Sequence, residues 1–466
     1  MMMRTLTAQM PNSRYWRRSV AIGAMAVAMS AAPGVMAQTQ REAALEARLN
    51  QLEAAVSALK SELTQARSEQ QASTQIVQKA DSRVAALEAK PAAEGFKVGA
   101  TTFKLGGFVK VVGSATRYDD GVVPGGSLGK EFYLPQQIPV GGGSSRDIIG
   151  HARQTRLAFS TSTPLGGKEV KSVVEFDFAL AAAPLGAQRA TNPYTPTFRR
   201  GFISYGNWLV GQEWTTFQNP NHFPETTDFV GPMDGAIFVR QMMVQYRQPL
   251  SADWSLYLAA ENPQTETIGT TSAALEDNDS DRMPDLVAKL AYKGKAGELH
   301  VAGLYRKLAV HAGGIGDNAD GWGVSAAGKV PFGPDGRHDI RFSATYGQGM
   351  GRYFTVGFAP DAIYDPAVGN RLYVVDNFAG FGAIKLGWTD TVRSTLMAAY
   401  QKAWYPDAIA LPDLANVAAY SVAGNLFWSP VKQLDLGIEY RHGQREVASG
   451  LKGQIDRLEM AAKFTF

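Results

Sequence analysis

The chain has 466 residues, no cysteine, 48 glycines and a formal net charge of +3 at pH 7. The lack of cysteine excludes disulfide frameworks and thiolate chemistry, and a charge so close to balance gives no argument for a nucleic-acid partner. After the first forty residues no run is apolar enough for a spanning helix, which needs about 20 residues. A membrane β-barrel stays compatible with this composition because half of each barrel strand is polar.

Residues 1–37 are organised like a secretory signal peptide. Three arginines at positions 14, 17 and 18 precede an apolar stretch from Val20 to Met29, and the small residue Ala37 follows. A charged start, a short apolar core and a small final residue are typical of export signals, so we predict cleavage after Ala37. The alternative is an uncleaved membrane anchor, which the short apolar core disfavours.

Residues 38–90 carry the spacing of a coiled coil. Steps of four and three connect the seam Leu45, Leu49, Leu52, Val56, Leu59, Leu63, Ala66, Gln70, Ser73, Val77, Ala80, Val84 and Leu87. A single helix cannot bury such a seam, so the pattern predicts a self-associating stalk, without choosing between two and three helices. Because Gln70 and Ser73 form a polar layer, a mostly disordered tether is the alternative. Pro91 ends the segment, and residues 91–100 are a linker.

The final residues show the alternation of a membrane strand. One parity carries Leu458, Met460, Ala462, Phe464 and Phe466, and the other carries Arg457, Glu459, Lys463 and Thr465. Side chains of a strand alternate between its two faces, so one face is apolar and the other charged. In a transmembrane barrel the apolar face meets lipid and the polar face lines the lumen. The same alternation over residues 101–466 predicts an all-β domain, a 16-stranded antiparallel transmembrane β-barrel, after the α-helical coiled coil.

The predicted strand number is even, as single-chain bacterial barrels require. The strands lie near residues 101–116, 149–163, 168–181, 197–205, 207–216, 237–249, 253–262, 284–294, 297–310, 320–332, 337–351, 378–390, 392–405, 417–430, 433–446 and 454–466. Long connections alternate with short turns and fall near 117–148, 182–196, 217–236, 263–283, 311–319, 352–377, 406–416 and 447–453. Short periplasmic turns and long outer loops are the usual barrel pattern.

Export and a barrel together predict the outer membrane of a Gram-negative bacterium, with lipid bilayer and lipopolysaccharide as partners. Both ends of an even barrel lie on the periplasmic side, so the stalk is expected in the periplasm. Aromatic residues gather near strand ends, as interfacial girdles do. They include Trp254, Tyr292, Trp388, Trp404, Tyr405 and Trp428.

The lumen-facing parity carries more cations than acids. The predicted pore-lining cations of this parity are Lys110, Arg156, Arg200, Lys289, Arg306, Lys385 and Arg441. Arg240 is also assigned to the anion path, and it lies with Arg153 near the outer mouth, where parity is less binding. The inward acids are Glu175, Asp177, Glu261 and Glu439. Fixed positive charge between low-dielectric walls concentrates anions, and guanidinium groups pair two-pronged with carboxylates. The alternative is a nearly neutral pore in which the cations pair with acids. The loop at 217–236 is a candidate for folding inward.

No catalytic or metal-binding pattern emerges. There is no Gly-x-Ser-x-Gly elbow, and the six histidines lack metal-ligand spacing. The run from Asp277 to Asp281 resembles the start of a calcium loop without its glycine and closing glutamate, so a solvated acidic loop is favoured over an outer cation site. The glycines of 347–351 end a strand, which favours turning or close packing over phosphate binding. We therefore predict a protein that is not an enzyme and needs no cofactor or metal.

Motifs spread over nearly the whole predicted mature chain resemble the DcaP-like trimeric outer-membrane porins. Besides the stalk, they are Ala152-Arg153-Gln154-Thr155-Arg156-Leu157, Gly211-Gln212-Glu213-Trp214-Thr215-Thr216-Phe217, Ala260-Glu261-Asn262-Pro263, Pro284-Asp285-Leu286-Val287, Gly349-Met350-Gly351-Arg352-Tyr353, Asn425-Leu426-Phe427-Trp428-Ser429-Pro430-Val431, Gly437-Ile438-Glu439-Tyr440 and Gly443-Gln444-Arg445. The resemblance implies sixteen strands, a homotrimer with a periplasmic coiled coil, and uptake of small anions such as dicarboxylates. Glu213 stands where a neutral residue is expected, and a lumen-facing Glu213 would weaken anion preference.

Three functions follow from these patterns. The preferred one is a porin, a passive diffusion channel for small, preferentially anionic solutes such as (di)carboxylates. The nearer alternative is a substrate-specific saturable carboxylate channel, which current block by one solute would distinguish. A barrel enzyme or a structural envelope anchor is the remaining alternative, and the missing catalytic triad and cell-wall module speak against it.

Overall fold

A computed structural model of the protein describes residues 95–466 apart from 180–193, 230, 278–279 and 313–314, together with positions 49, 53, 57 and 60. The chain divides into two units, Met1–Ala93 and Glu94–Phe466. The four isolated positions of the first unit are helical. The signal peptide and the rest of the stalk lie outside the described residues, so the coiled coil stays a prediction.

The second unit is a closed barrel of sixteen antiparallel strands, which confirms the predicted number. The strands are β1 Thr101–Tyr118, β2 Ser145–His151 with Arg156–Leu165, β3 Lys168–Asp177, β4 Thr197–Tyr205, β5 Trp208–Trp214, β6 Arg240–Pro249, β7 Trp254–Glu261, β8 Asp285–Gly294, β9 Gly297–Ala312, β10 Ile315–Phe332, β11 His338–Gln348, β12 Asp376–Gly387, β13 Val392–Trp404, β14 Asn416–Val431, β15 Leu434–Val447 and β16 Lys452–Thr465. Each strand pairs with the next, and β1 pairs with β16, as Val111 with Ala462. Since every strand has two neighbours, the wall has no open edge.

Several strands end a few residues from the predicted boundaries, and three segments differ in kind. Strand β2 begins at Ser145 and is interrupted at 152–155, where the Thr155 hydroxyl bonds to the backbone of Lys110 instead. Strands β9 and β10 run through most of the predicted loop 311–319, because pairing between them overrides the local glycine and aspartate content. In the predicted linker, Phe96–Val98 forms a short strand that folds back on β1.

The outer face of the barrel is apolar, as the alternation predicts. Leu105, Val301, Leu396 and Met460 are all more than half exposed. Exposed aromatic side chains lie near both ends of this band and include Trp208, Trp254, Trp322, Trp388, Trp404 and Trp428. No helix in the described part of the chain is long and apolar enough to cross a membrane.

The connections differ between the two ends of the barrel. One end, the turn end, carries short turns such as Gly166-Gly167 and Gly206-Asn207, together with the start of β1 and the end of β16. The other, the loop end, carries loop 1 (119–144), loop 2 (described at 178–179 and 194–196), loop 3 (215–239), loop 4 (262–284), loop 6 (349–375), loop 7 (405–415) and loop 8 (448–451). Loops 4 and 6 share a small sheet in which Glu266–Ile268 pairs in parallel with Ala362–Ile363. Residues of these loops therefore pack against one another.

Candidate functional site

Loop 3 lies inside the barrel. The Glu225 carboxylate accepts two hydrogen bonds of 2.6 Å from Arg393 of β13, and the Glu439 carboxylate of β15 accepts one from the Thr227 backbone N–H at 3.1 Å. Further bonds run from Lys289 Nζ to the Gln218 carbonyl at 3.0 Å and from Arg341 to the Phe223 carbonyl. Loop 3 thus contacts strands on several sides of the lumen and narrows it.

Loops 1 and 3 are joined over one side of the lumen. The backbone N–H of Tyr133 in loop 1 donates to the Asp228 carboxylate of loop 3 at 2.9 Å. The Asp234 carboxylate of loop 3 accepts from the Tyr133 hydroxyl at 3.3 Å and from the Ser421 hydroxyl of β14 at 2.8 Å. All four residues are buried, so this side of the lumen is filled by packed side chains.

Two predicted pore cations, Lys110 and Arg441, are buried beneath the packed residues of loops 1 and 3. Arg441 is 2% exposed, donates to Glu439 at 2.9 Å and lies 4.6 Å from the Tyr133 ring centroid. Lys110 is 8% exposed and donates to the Asp228 carbonyl at 3.4 Å. Both side chains point inward as predicted, but loops 1 and 3 separate them from the open lumen. The prediction that they line the anion path is corrected for this reason.

Arg306 is buried more completely still. Its side chain is 1% exposed and donates to the Asp361 carboxylate of loop 6 at 2.8 Å. The Asp285 carboxylate lies 3.4 Å away, and the Gly349 carbonyl accepts a bond of 3.0 Å. Arg306 therefore fastens loop 6 to the wall, and its predicted place on the anion path is also corrected.

A guanidinium that the prediction missed, Arg199, points to the inside of the barrel because of a β-bulge and is 2% exposed. Glu175 of β3 pairs with Arg200 of β4, and the register then shifts by one residue. A bulge re-aims the extra side chain, so Arg199 points inward beside Arg200 and donates to the Glu175 carboxylate at 2.8 Å. It also bonds to Asp177. Strict alternation would have placed neighbouring arginines on opposite faces, and no local sequence signal marks the bulge.

Arg200 forms a two-pronged pair with Glu213 of β5. Its Nε lies 2.6 Å from one carboxylate oxygen and its Nη2 lies 2.5 Å from the other. The side chains are 27% and 13% exposed, so the pair is in contact with the lumen. Glu213 faces the lumen, which is the arrangement expected to weaken anion preference.

Arg156 and Arg240 complete this cluster with weaker pairing. Arg156 lies 3.9 Å from both Glu175 and Asp177. The Arg240 guanidinium lies 5.0 Å from the Trp214 ring centroid. Within the described residues no carboxylate lies within 4.0 Å of Arg240, and its Nη1 is buried without a hydrogen-bond partner. We call Arg156, Arg199, Arg200 and Arg240 the arginine cluster.

Four more inward cations lie in the turn-end half of the barrel, and we call them the vestibule cations. They are Arg247 of β6, Lys289 of β8, Lys329 of β10 and Lys385 of β12. Lys289 donates to a loop 3 carbonyl, and Arg247 donates to the Ser255 hydroxyl at 3.2 Å. In the described part of the chain none of the four has a carboxylate within 4.0 Å, although Asp339 is the cross-strand neighbour of Lys385 and Glu298 that of Lys329. Lys289 and Lys385 were predicted to line the pore. Arg247 and Lys329 were missed, although both lie on the lumen-facing parity of their strands.

Other turn-end cations are neutralised. Arg341 pairs with Asp339 at 2.6 Å, and Asp435 accepts from Arg393 at 2.9 Å and from Lys463 at 2.8 Å. The expected alternative of paired charges thus describes part of the lumen. The remaining positive charge is concentrated at the vestibule cations and the arginine cluster.

The loop end contains acids that serve loop packing. Asp281 accepts from the Thr265 backbone and hydroxyl, both at 2.6 Å. Burial raises the pKa of the Glu266 carboxyl to about 7, and the Asp361 carboxylate nearby adds to this rise.

Among the described residues no group of three or more His, Asp or Glu side chains is placed to hold a metal ion. At the glycine run, Met350 is fully buried, and a Cβ on Gly323 would lie 1.8 Å from its sulfur, so close packing explains this run.

A closed barrel of sixteen strands with a loop folded into its lumen defines a channel of the outer-membrane porin class. The model of the family described as DcaP outer membrane protein matches residues 155–466. The chain belongs to this family, and the resemblance seen in its motifs is confirmed. Its place is therefore the outer membrane, and its class is a channel.

Solved structures agree with this assignment. The crystal structure of the outer membrane channel DcaP of Acinetobacter baumannii is 25% identical, with a TM-score of 0.65, over 80% of this chain and 99% of that chain. OmpT of Vibrio cholerae, expressed in the outer membrane, is 12% identical with a TM-score of 0.50, over 80% of this chain and 100% of that chain, and shows the shared fold. No protein with a curated description matches this chain.

Proposed function

We propose that this porin is a passive diffusion channel that prefers small anions, with carboxylates and dicarboxylates as its main solutes. The observation that carries the proposal is the set of vestibule cations, none of which has a carboxylate within 4.0 Å among the described residues. They occupy alternate strands from β6 to β12 and so line one side of the turn-end half. A solute that passes loop 3 meets four cations there that no described carboxylate approaches within 4.0 Å.

The preference for anions follows from electrostatics in a narrow space. Fixed charge between low-dielectric walls attracts counter-ions and repels ions of its own sign. Because loop 3 narrows the lumen, a permeating ion stays within a Debye length, about 8 Å at physiological ionic strength, of part of the wall. Cations are therefore disfavoured more strongly than they would be in an open pore.

Carboxylates are the favoured class because the arginine cluster can recognise them. A guanidinium presents parallel N–H groups that match the two oxygens of a carboxylate, and Arg200 already makes this pair with Glu213. The same cluster supports the second candidate function, a saturable channel for one carboxylate. Block of the current at low concentration of a single solute distinguishes the two.

The assembly that we propose is a homotrimer held through barrel walls and the N-terminal coiled coil, with lipopolysaccharide around its outer face. The heptad seam supports self-association, and resemblance to trimeric porins supports the number three. The stalk extends into the periplasm in this arrangement, since the first barrel strand begins at the turn end. Chemical cross-linking of the detergent-purified protein, with and without residues 38–90, tests it.

The selectivity is tested by reversal potentials of single channels in a potassium chloride gradient. The natural protein is expected to prefer chloride, and the triple variant Lys289→Gln, Lys329→Gln, Lys385→Gln is expected to lose most of this preference. A matched control neutralises Lys307 and Lys402, which lie on the outward parity of β9 and β13, and leaves the reversal potential unchanged. Cation preference in the natural protein would refute the proposal.

A further inference from the structure

We propose that Arg156, Arg200 and Arg240 form a binding site for a solute carboxylate, and that Glu213 is a built-in competitor that keeps this site weak. The inference rests on the proposed anion passage and deepens it. It assigns Glu213 a role in setting solute affinity, beyond the general effect of its charge.

The first step is the geometry of Arg200 and Glu213. Both oxygens of the Glu213 carboxylate bond to the guanidinium, at 2.6 and 2.5 Å. This is the arrangement that a free carboxylate would adopt on the same guanidinium. Since Arg200 is 27% exposed, a solute can reach the guanidinium once Glu213 moves aside.

The second step is the charge balance around the pair. Arg199 takes both Glu175 and Asp177 as close partners, and these three side chains are almost fully buried. Glu213 is then the nearest acid to Arg200, at 2.5 Å, and the Glu175 carboxylate lies farther away, at 3.6 Å. Arg156 is no closer than 3.9 Å to its acids, and Arg240 has an unpartnered buried Nη1. The described cluster therefore has room, in charge and in hydrogen bonding, for one more carboxylate.

The third step is the cost of displacing Glu213. A binding group that is free for only a fraction of the time binds its ligand more weakly in proportion to that fraction. Glu213 thus lowers the affinity for a solute without removing the site. Conduction needs a site that is favourable enough to occupy and weak enough to leave. Because the Glu213 carboxylate competes for Arg200, the site can bind a solute carboxylate and still release it quickly.

The test compares Glu213→Gln with the natural protein in planar bilayers, with succinate as the probe. Glutamine keeps an oxygen that can accept the 2.7 Å bond from the Trp214 backbone N–H, but it no longer neutralises Arg200. The half-blocking concentration of succinate is expected to fall about tenfold, which corresponds to a pair that leaves Arg200 free about a tenth of the time. Residence times of single blocking events are expected to lengthen.

Two further variants make the result specific. Glu169→Gln is the matched control, because Glu169 lies on the lumen-facing parity of β3 near the turn end, where its carboxylate pairs with Lys171 at 2.9 Å. This variant is expected to leave succinate block unchanged. In Glu213→Gln combined with Arg200→Gln, the tight block is expected to disappear. If Glu213→Gln does not fold into a heat-modifiable barrel, Glu213→Asp keeps the charge on a shorter arm and is expected to give an intermediate affinity.

Unchanged succinate block in Glu213→Gln, or an equal change in Glu169→Gln, would overturn the inference while anion preference stands. Cation preference in the natural protein would instead defeat the proposed function itself. The two failures are therefore separate results.

Discussion

Two groups of inward arginines in this barrel have opposite environments. Arg306, near the loop end, is 1% exposed and bound by the Asp361 carboxylate and backbone carbonyls. Arg200, in the arginine cluster, is 27% exposed, with the Glu213 carboxylate at 2.5 Å and the Glu175 carboxylate at 3.6 Å. Both side chains lie on the lumen-facing parity of their strands. Parity thus decides which side of the wall a charge occupies, and the loops decide whether it meets the solute or holds the fold together.

The largest effect is expected for Arg306→Gln. Breaking a buried ion pair costs about 3–5 kcal/mol because the partner charge stays buried and uncompensated, here on Asp361 and Asp285. The thermal unfolding midpoint in detergent should fall clearly below that of the natural protein. Arg200→Gln should change unfolding far less and solute block far more. Equal unfolding midpoints for the two variants would show that the contrast between these arginines is wrong.

A smaller effect is expected for Arg393→Gln, which tests the anchoring of loop 3. Arg393 holds Glu225 through two bonds of 2.6 Å and Asp435 through one of 2.9 Å. Losing hydrogen bonds between charged groups costs about 1.5–3 kcal/mol each, so loop 3 should detach for part of the time. Single-channel recordings should show a larger and noisier conductance.

The matched control is Arg337→Gln at the turn end. Its partner Asp390 is 88% exposed, and exposed pairs contribute about 0–1 kcal/mol. Recordings indistinguishable from those of the natural protein are expected. If Arg393→Gln conducts like this control, the Glu225 contact does not hold loop 3.

The smallest effect concerns the packing of loops 4 and 6 and its dependence on pH. Burial raises the pKa of Glu266 to about 7 from an ordinary value of 4.5, so its carboxyl binds a proton more tightly in the folded loops than in the unfolded chain. The stability that this adds is complete below pH 4.5 and is lost as the pH rises through 7. The unfolding midpoint of the natural protein relative to Glu266→Gln should therefore decrease between pH 5 and pH 8.5. A difference that stays constant over this range would contradict the assignment.

Much of the wall could be predicted from the alternation of residues such as Leu458 and Glu459. Period two follows from backbone geometry alone, and lipid on one side with water on the other selects residues accordingly. The number of strands, the order of turns and loops, and the inward side of Lys289 and Lys385 were predictable for this reason. Where strand pairing departs from strict alternation, as at the bulge beside Arg199, the sequence pattern did not predict which face the side chain occupies.

The positions of the loops could not be predicted in the same way. Loop 3 is held by contacts between residues far apart in the chain, such as Glu225 with Arg393 and Thr227 with Glu439. Such contacts depend on the closed barrel, which brings β13 and β15 opposite β5 and β6. Lys110, Arg306 and Arg441 accordingly have the parity of pore residues but the burial of a protein core. Local periodicity assigns a side chain to a face, whereas its exposure to the solute depends on how distant segments fill the space beside it.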